Sequence, residues 1–157
     1  MRHRFLMCGA FVVAAACSGS DGTADSAAAA TAATQQATPQ PIQLTDVAGV
    51  WTVRGMPMDR DTVIVTYELT ATADTTGWTI TFPGRPPVPV RVVSVAGDSV
   101  TTSAGPYESV LRPGVQVTTV GAFRLRDGRL VGNTVARYSG RTADSVITVR
   151  SEGERKP

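Results

Sequence analysis

From residue 61 onward the chain alternates between apolar and polar positions. Asp61-Thr-Val-Ile-Val-Thr-Tyr-Glu-Leu-Thr70 places Val63, Val65, Tyr67 and Leu69 on one side of an extended segment, and a period of two is the signature of a half-buried strand. Trp78, Ile80 and Phe82 repeat the pattern after the turn Ala73-Asp74-Thr75-Thr76-Gly77. Val88, Val90 and Val92 follow a proline-rich loop, where the pattern slips to Val93 and Val95 and predicts a β-bulge. Gly97-Asp98 turns into Ser99 to Ser103. Further on, Val115, Val117, Thr119, Gly121, Phe123 and Leu125 share a face. Asp127-Gly128 is the strongest hairpin signal in the chain, and Arg129 to Tyr138 returns from it. With Val50 to Arg54 in front and Ser145 to Arg150 behind, the pattern predicts about eight strands and no helix.

Short sequential hairpins predict an all-β domain, and eight strands can close on themselves and so remove exposed edges. The expected architecture is a small antiparallel up-and-down barrel, with a two-sheet β-sandwich as the alternative. Asp61, Asp98 and Asp144 each precede a hydroxyl residue and a valine on entering a strand. That form suits turn capping by the aspartate side chain better than a calcium site, so no metal is expected.

Upstream of the strands the pattern changes twice. Arg2-His3-Arg4 precedes an apolar run from Phe5 to Ala16, which ends at Cys17. The run is too short for a bilayer, which takes roughly 18 residues, and has the form of a secretory signal. Ala14-Ala15-Ala16-Cys17 resembles the lipobox of bacterial lipoproteins. The resemblance implies removal of residues 1–16, acylation of Cys17 and a lipid anchor in the bacterial cell envelope. Ser18 after the cysteine favours the outer membrane by the same resemblance. Residues 17–41 are almost entirely Ala, Thr, Ser, Gln, Gly and Pro, a composition that cannot bury enough apolar surface to offset its ordering entropy. They read as a flexible tether spanning roughly 25–30 Å. The barrel domain is then 42–157.

Composition narrows the chemistry. The only histidine is His3, inside the signal, and Cys17 is the only cysteine after it. A processed chain would therefore lack the imidazole and thiol of the usual nucleophilic triads and the common ligands for zinc, copper or haem. Neither a cofactor nor an enzymatic activity is expected, since no pair of carboxylates stands out as a glycosidase pair would. From residue 42 onward 13 basic side chains face 11 acidic ones, and Asp21 and Asp25 of the tether bring the balance to zero. Such neutrality gives no reason to expect nucleic acid as a partner.

Asp46-Val47-Ala48-Gly49-Val50-Trp51 resembles the opening of lipocalins and other calycins, in which a Gly-x-Trp begins the first strand. The resemblance implies that Trp51 plugs one barrel end and that an arginine near the last strand packs over it, with Arg150 as the candidate. On that face assignment Trp51, Tyr67, Leu69, Trp78, Phe82 and Phe123 point inward, opposite the small residues Thr119, Gly121, Gly132, Thr134 and Ala136. Two readings stand side by side: a cavity for a small apolar or amphipathic ligand, touched by Trp51, Tyr67, Trp78, Phe82 and Phe123, or a filled barrel whose small residues make room for rings. Arg124, Arg126 and Arg129 flank the Asp127-Gly128 turn, either as a solvated hairpin tip or as contacts to an anionic partner. The expected function is a tethered ligand-binding barrel. The alternatives are an interaction lipoprotein, which meets a protein or anionic envelope component through a filled barrel, and a tethered hydrolase inhibitor.

Overall fold

A computed structural model describes residues 41–140 and 145–157. The signal, Cys17 and the tether as far as residue 40 lie outside the described residues, as does Asp144. After a single turn of helix, α1 (Leu44–Val47), come β1 (Gly49–Pro57), β2 (Val65–Ala71), β3 (Trp78–Thr81), β4 (Val88–Ala96), β5 (Ser99–Glu108), β6 (Gln116–Arg126), β7 (Arg129–Tyr138) and β8 (Val146–Arg155). Each strand pairs antiparallel with the next, and β8 returns to β1, so the sheet is a closed eight-stranded barrel. The up-and-down barrel expected from the alternation is the observed fold, rather than a sandwich.

Closure follows from the stagger of β1. Its first residues pair with β2, from Gly49↔Ala71 to Gly55↔Val65, while Trp51 to Pro57 pair with β8. Both sides of β1 are thereby satisfied and no edge remains. The turn between β6 and β7 has both central residues in the left-handed region, Asp127 at φ 51° and Gly128 at φ 74°. That backbone matches the twist of the strands it joins, which is why Asp-Gly is favoured there.

The slip in β4 is a register shift between Val92 and Ser94. Val93 is the extra residue and is exposed, while Val95 returns to pair with Val100. A second shift lies in β5 between Ala104 and Tyr107. It turns Tyr107 inward on a strand where Val100, Thr102 and Ala104 already face the interior.

Boundaries differ from the sequence expectation: β1 runs on to Pro57 and β5 to Glu108, and β2, β8 and the helix depart from it too. β2 begins at Val65, so Val63 is exposed in the preceding loop. The β1–β2 ladder ends at Gly55↔Val65, with the Ile64 N–H still donating to the Gly55 carbonyl at 2.9 Å, and past Gly55 β1 pairs only with β8. β8 runs to Arg155 because its inward positions Ser151 and Gly153 are buried without being apolar in bulk. One turn of helix, four residues long, is too short to leave a 3.6-residue period. Its first turn is held by Asp46, whose carboxylate accepts from the Gln43 backbone N–H at 2.9 Å.

Buried apolar side chains form two clusters. The larger one gathers Val47, Trp51, Val53, Leu69, Trp78 and Leu130 with Phe82, Val100 and Phe123. The smaller one is Val117, Ala136 and Tyr138, flanked by Tyr107, Val115 and Ile147.

Candidate functional site: a plugged end and an open end

One end of the barrel carries α1, the β2–β3, β4–β5 and β6–β7 turns, and the C-terminal end of β8. Trp51 fills this end with no exposed surface, and its indole N–H donates to the Val47 carbonyl at 2.8 Å. The guanidinium carbon of Arg155 lies 4.3 Å from the centre of the Trp51 ring. Arg155 also donates to the Ala48 carbonyl and, at 2.7 Å, to the Asp46 carbonyl. A cation over an indole face is worth about 0.5–2 kcal/mol, depending on desolvation. The same arginine covers carbonyls left open at the end of α1.

Gly49 explains its place in the Gly-x-Trp opening. Its φ is 137°, and a Cβ there would stand 2.5 Å from the Arg155 guanidinium. Trp78 lies at the same end, buried, with its indole N–H on the Asp74 carbonyl at 2.8 Å.

The arginine over Trp51 is therefore Arg155 and not Arg150. Arg150 sits at the opposite parity of β8, with Nη2 2.5 Å from Asp61 and Nε 3.3 Å from Glu152. Those carboxylates raise its pKa, the hydrogen bond to Asp61 most of all. Alternation carried forward from Val149 reaches 151, 153 and 155, so the signal for Arg155 was present in the sequence. It was obscured because serine and glycine do not announce an inward face.

The cavity lies in the other half, between the two apolar clusters, with a volume of about 80 Å³. Leu69, Ile80, Val90 and Phe123 line it from the larger cluster, and Val117, Ala136 and Tyr138 from the smaller. Tyr67, Phe82 and Tyr107 form an aromatic run along one wall, with successive centroids 5.6 Å apart. Of the side chains expected to touch a ligand, Tyr67, Phe82 and Phe123 line this space. Trp51 and Trp78 do not and belong to the plugged end.

The small residues divide in the same way. Gly121 makes room for the Phe123 ring, since a Cβ there would lie 2.5 Å from it. Gly132 lets β7 pass close to the Ala122 carbonyl, 1.9 Å from where its Cβ would be. Thr119, Thr134 and Ala136 leave their space to the cavity.

The polar groups in the lining are hydroxyls. Thr134 and Ser151 share a hydrogen bond of 2.9 Å between their oxygens. The Tyr67 hydroxyl reaches them from across the barrel. Burial pushes its pKa up to about 12, against the lowering effect of hydrogen bonds from Thr134 and Ser151. Burial also raises Tyr107, opposed by a hydrogen bond from Thr119. No Asp, Glu, Lys or Arg is among the cavity-lining residues.

The cavity rises toward the β1–β2, β3–β4, β5–β6 and β7–β8 loops. Leu111 belongs both to the lining and to the exposed surface. Met58, Val63, Ile64 and Val146, from loops and a strand start at this end, are exposed as well. The β5–β6 loop is pinned by Ser109, whose oxygen accepts from the backbone N–H groups of Leu111 and Arg112 at 3.1 and 3.0 Å. Arg112 lies 4.1 Å over the Tyr138 ring. The proline-rich loop is fixed by Arg85, which donates to the Glu108 carbonyl at 2.7 Å. Among the described residues nothing plugs this end as α1, Trp51 and Arg155 plug the other.

The arginines of the β6–β7 hairpin are already paired. Arg124 lies 3.1 Å from Asp98 and donates to the Ser99 hydroxyl at 3.0 Å, and Arg126 pairs with the same Asp98. Desolvation is the largest single influence on Asp98 and would raise its pKa. Hydrogen bonds from Ser99, Arg124 and Arg126 together outweigh it, and the carboxyl sits below its usual range. Arg129 lies 3.0 Å from Glu154 and 3.7 Å from Glu152. Asp98 thus works as a turn residue and charge partner, and no group of His, Cys, Asp and Glu among the described residues could hold a metal ion. No helix among the described residues is long and apolar enough to cross a membrane.

A small closed barrel with one plugged end and one apolar, hydroxyl-lined end is the class of molecule these features define. The chain matches no protein-family model, and neither a curated protein nor a solved structure matches it.

Proposed function

We propose that the protein is a binding module whose barrel takes a small apolar or amphipathic group through the end opposite Trp51. The observation that carries this reading is the cavity itself, apolar in its walls and continuous with the exposed loop residue Leu111. Its size sets the scale. Pockets for drug-sized ligands hold about 300–1,000 Å³, and an apolar cavity of about 150 Å³ takes benzene. About 80 Å³ therefore suits one end of a chain or a group of a few heavy atoms, with the remainder of the ligand against Met58, Ile64, Leu111 and Val146. The filled and hollow readings meet here: the plugged half is packed, and the open half keeps a short slot.

Partnership through Arg124, Arg126 and Arg129 draws less support, because each already has a carboxylate on the protein. An anionic partner would have to displace Asp98 or Glu154. The exposed apolar rim instead favours an apolar contact as the second reading. We do not assign an enzymatic role. Delivery to a bacterial envelope and anchorage through acylated Cys17 complete the proposal on the sequence of residues 1–17. Mass spectrometry of the envelope-extracted protein should find diacylglyceryl modification that Cys17→Ala abolishes.

Native mass spectrometry of the full-length protein, gently extracted, tests the binding function. It should show an adduct released on denaturation and lost in Ala136→Leu, which fills the slot. A bare mass, together with no binding of short alcohols or hydrocarbons in solution, would contradict it.

A further inference from the structure

Every polar side chain lining the open half of the barrel is an uncharged hydroxyl. Thr134 lies mid-strand in β7, with Leu130 and Gly132 toward the plug and Ala136 and Tyr138 toward the mouth. Ser151 of β8 pairs with Gly132, one inward step nearer the plug than Thr134, with Gly153 below it and Val149 and Ile147 toward the mouth. Tyr67 approaches both from β2, so Tyr67 and Thr134 put hydroxyls at the floor of the cavity and Ser151 backs Thr134 from below. Above them the walls are Val65, Val117, Ala136, Ile147 and Val149, with Tyr107 and Thr119 hydrogen-bonded to each other among them, and Leu111 reaches the exposed surface. The deepest polar groups are therefore hydroxyls, and the side chain that carries the cavity to the surface is hydrocarbon.

Charge at the floor is a different matter. A buried carboxylate or phosphate costs several kcal/mol unless a cation or several N–H donors meet it. The lining contains neither Lys nor Arg. A guanidinium at this end, that of Arg112, stacks on Tyr138 beside the β5–β6 loop. Hydroxyls, by contrast, both donate and accept, so they can satisfy an alcohol, or the carbonyl of an ester or amide, without a charge.

Resting on the proposed binding function, we infer that the ligand is a neutral amphipath. Its uncharged hydrogen-bonding head sits on Tyr67 and Thr134 at the floor, and its hydrocarbon part points out past Leu111. The orientation is head-first, and the selected class is the alcohol, ester or amide rather than the free fatty acid or phosphate.

Chain-matched probes separate the two levels of the claim. The full-length protein is titrated at pH 8 with 1-hexanol, hexanoate and hexane, and methyl and tyrosine NMR signals are followed. The inference predicts that 1-hexanol binds at least about tenfold more tightly than hexanoate. It predicts also that Thr134→Val, nearly the same shape without the hydroxyl, weakens 1-hexanol several-fold while leaving hexane unchanged. A chemical-shift map of the variant in the absence of probe controls for folding. Hexanoate binding as tightly as 1-hexanol, especially if Arg112→Gln weakens it, would overturn the neutral, head-first assignment and leave the binding function standing. Equal affinities for hexane and 1-hexanol, both insensitive to Thr134→Val, would do the same. No binding of any of the three would overturn the binding function and this inference with it.

Discussion

At one end of the barrel Trp51 is wholly buried, its N–H is satisfied by Val47 and its ring is covered by Arg155. At the other, a slot with hydroxyls at its floor reaches the surface at exposed Leu111, and Met58, Ile64 and Val146 are exposed at the same end. The same eight strands build both ends, so the difference lies in what each strand carries at its two termini. Large rings and one arginine close the first, while Thr119, Thr134 and Ala136 hold the second open. Close packing is concentrated in the plugged half, and the proposed binding in the half that packing leaves open.

The contrast can be broken most severely at Trp51. Trp51→Ala removes the largest fully buried side chain and should cost about 3–5 kcal/mol, read as a shift in the denaturant midpoint with little change in slope. An equal loss for Leu111→Ala would erase the distinction between the ends. A second large effect comes from alkali. Tyr67 has a pKa of about 12 in the folded chain and about 10 when unfolded. The protonated phenol is favoured by folding, so this contribution is complete below pH 10 and is lost as pH rises from 10 to 12. Two pK units correspond to about 2–3 kcal/mol. Equilibrium unfolding should become easier across that window, and Tyr67→Phe should flatten the dependence.

Arg155→Gln sharpens the comparison at smaller scale. It should lose about 1–2 kcal/mol through the cation–π contact and the freed carbonyls. Arg150→Gln, on exposed partners, should lose less. Thermal unfolding of the pair of variants decides which arginine holds the plug. The smallest expected change in stability, within about 0.5 kcal/mol, belongs to the exposed rim substitution Ile64→Ser. Its effect should appear instead as a several-fold weaker binding of 1-hexanol by NMR titration.

The strands were legible because each presents an apolar face of period two, and Asp127-Gly128 announces the hairpin between the two longest-paired of them. Legibility failed where the barrel's stagger, rather than local pattern, decided. Val63 alternates correctly but has no strand to pair with, and Ser151 and Gly153 face the interior without apolar bulk. Arg155 was hidden for that reason. Gly49 and Trp51 were readable as a motif, but their purpose needed the guanidinium that passes over both. Of the cavity, Tyr67, Phe82 and Phe123 were visible as inward rings. The hydroxyl floor was not, because Tyr67, Thr134 and Ser151 lie far apart in the chain and meet only after closure. The loop residues of the rim carry no periodic signal at all.

Methyl NMR of the full-length protein during titration with 1-hexanol tests the division of the barrel most directly. Signals of Ile80, Ala136, Ile147 and Val149 should move with a common saturation curve, while Val47, Val53 and Leu130 beside Trp51 stay fixed. Shifts confined to the Trp51 end, or no saturable shift anywhere, would contradict it.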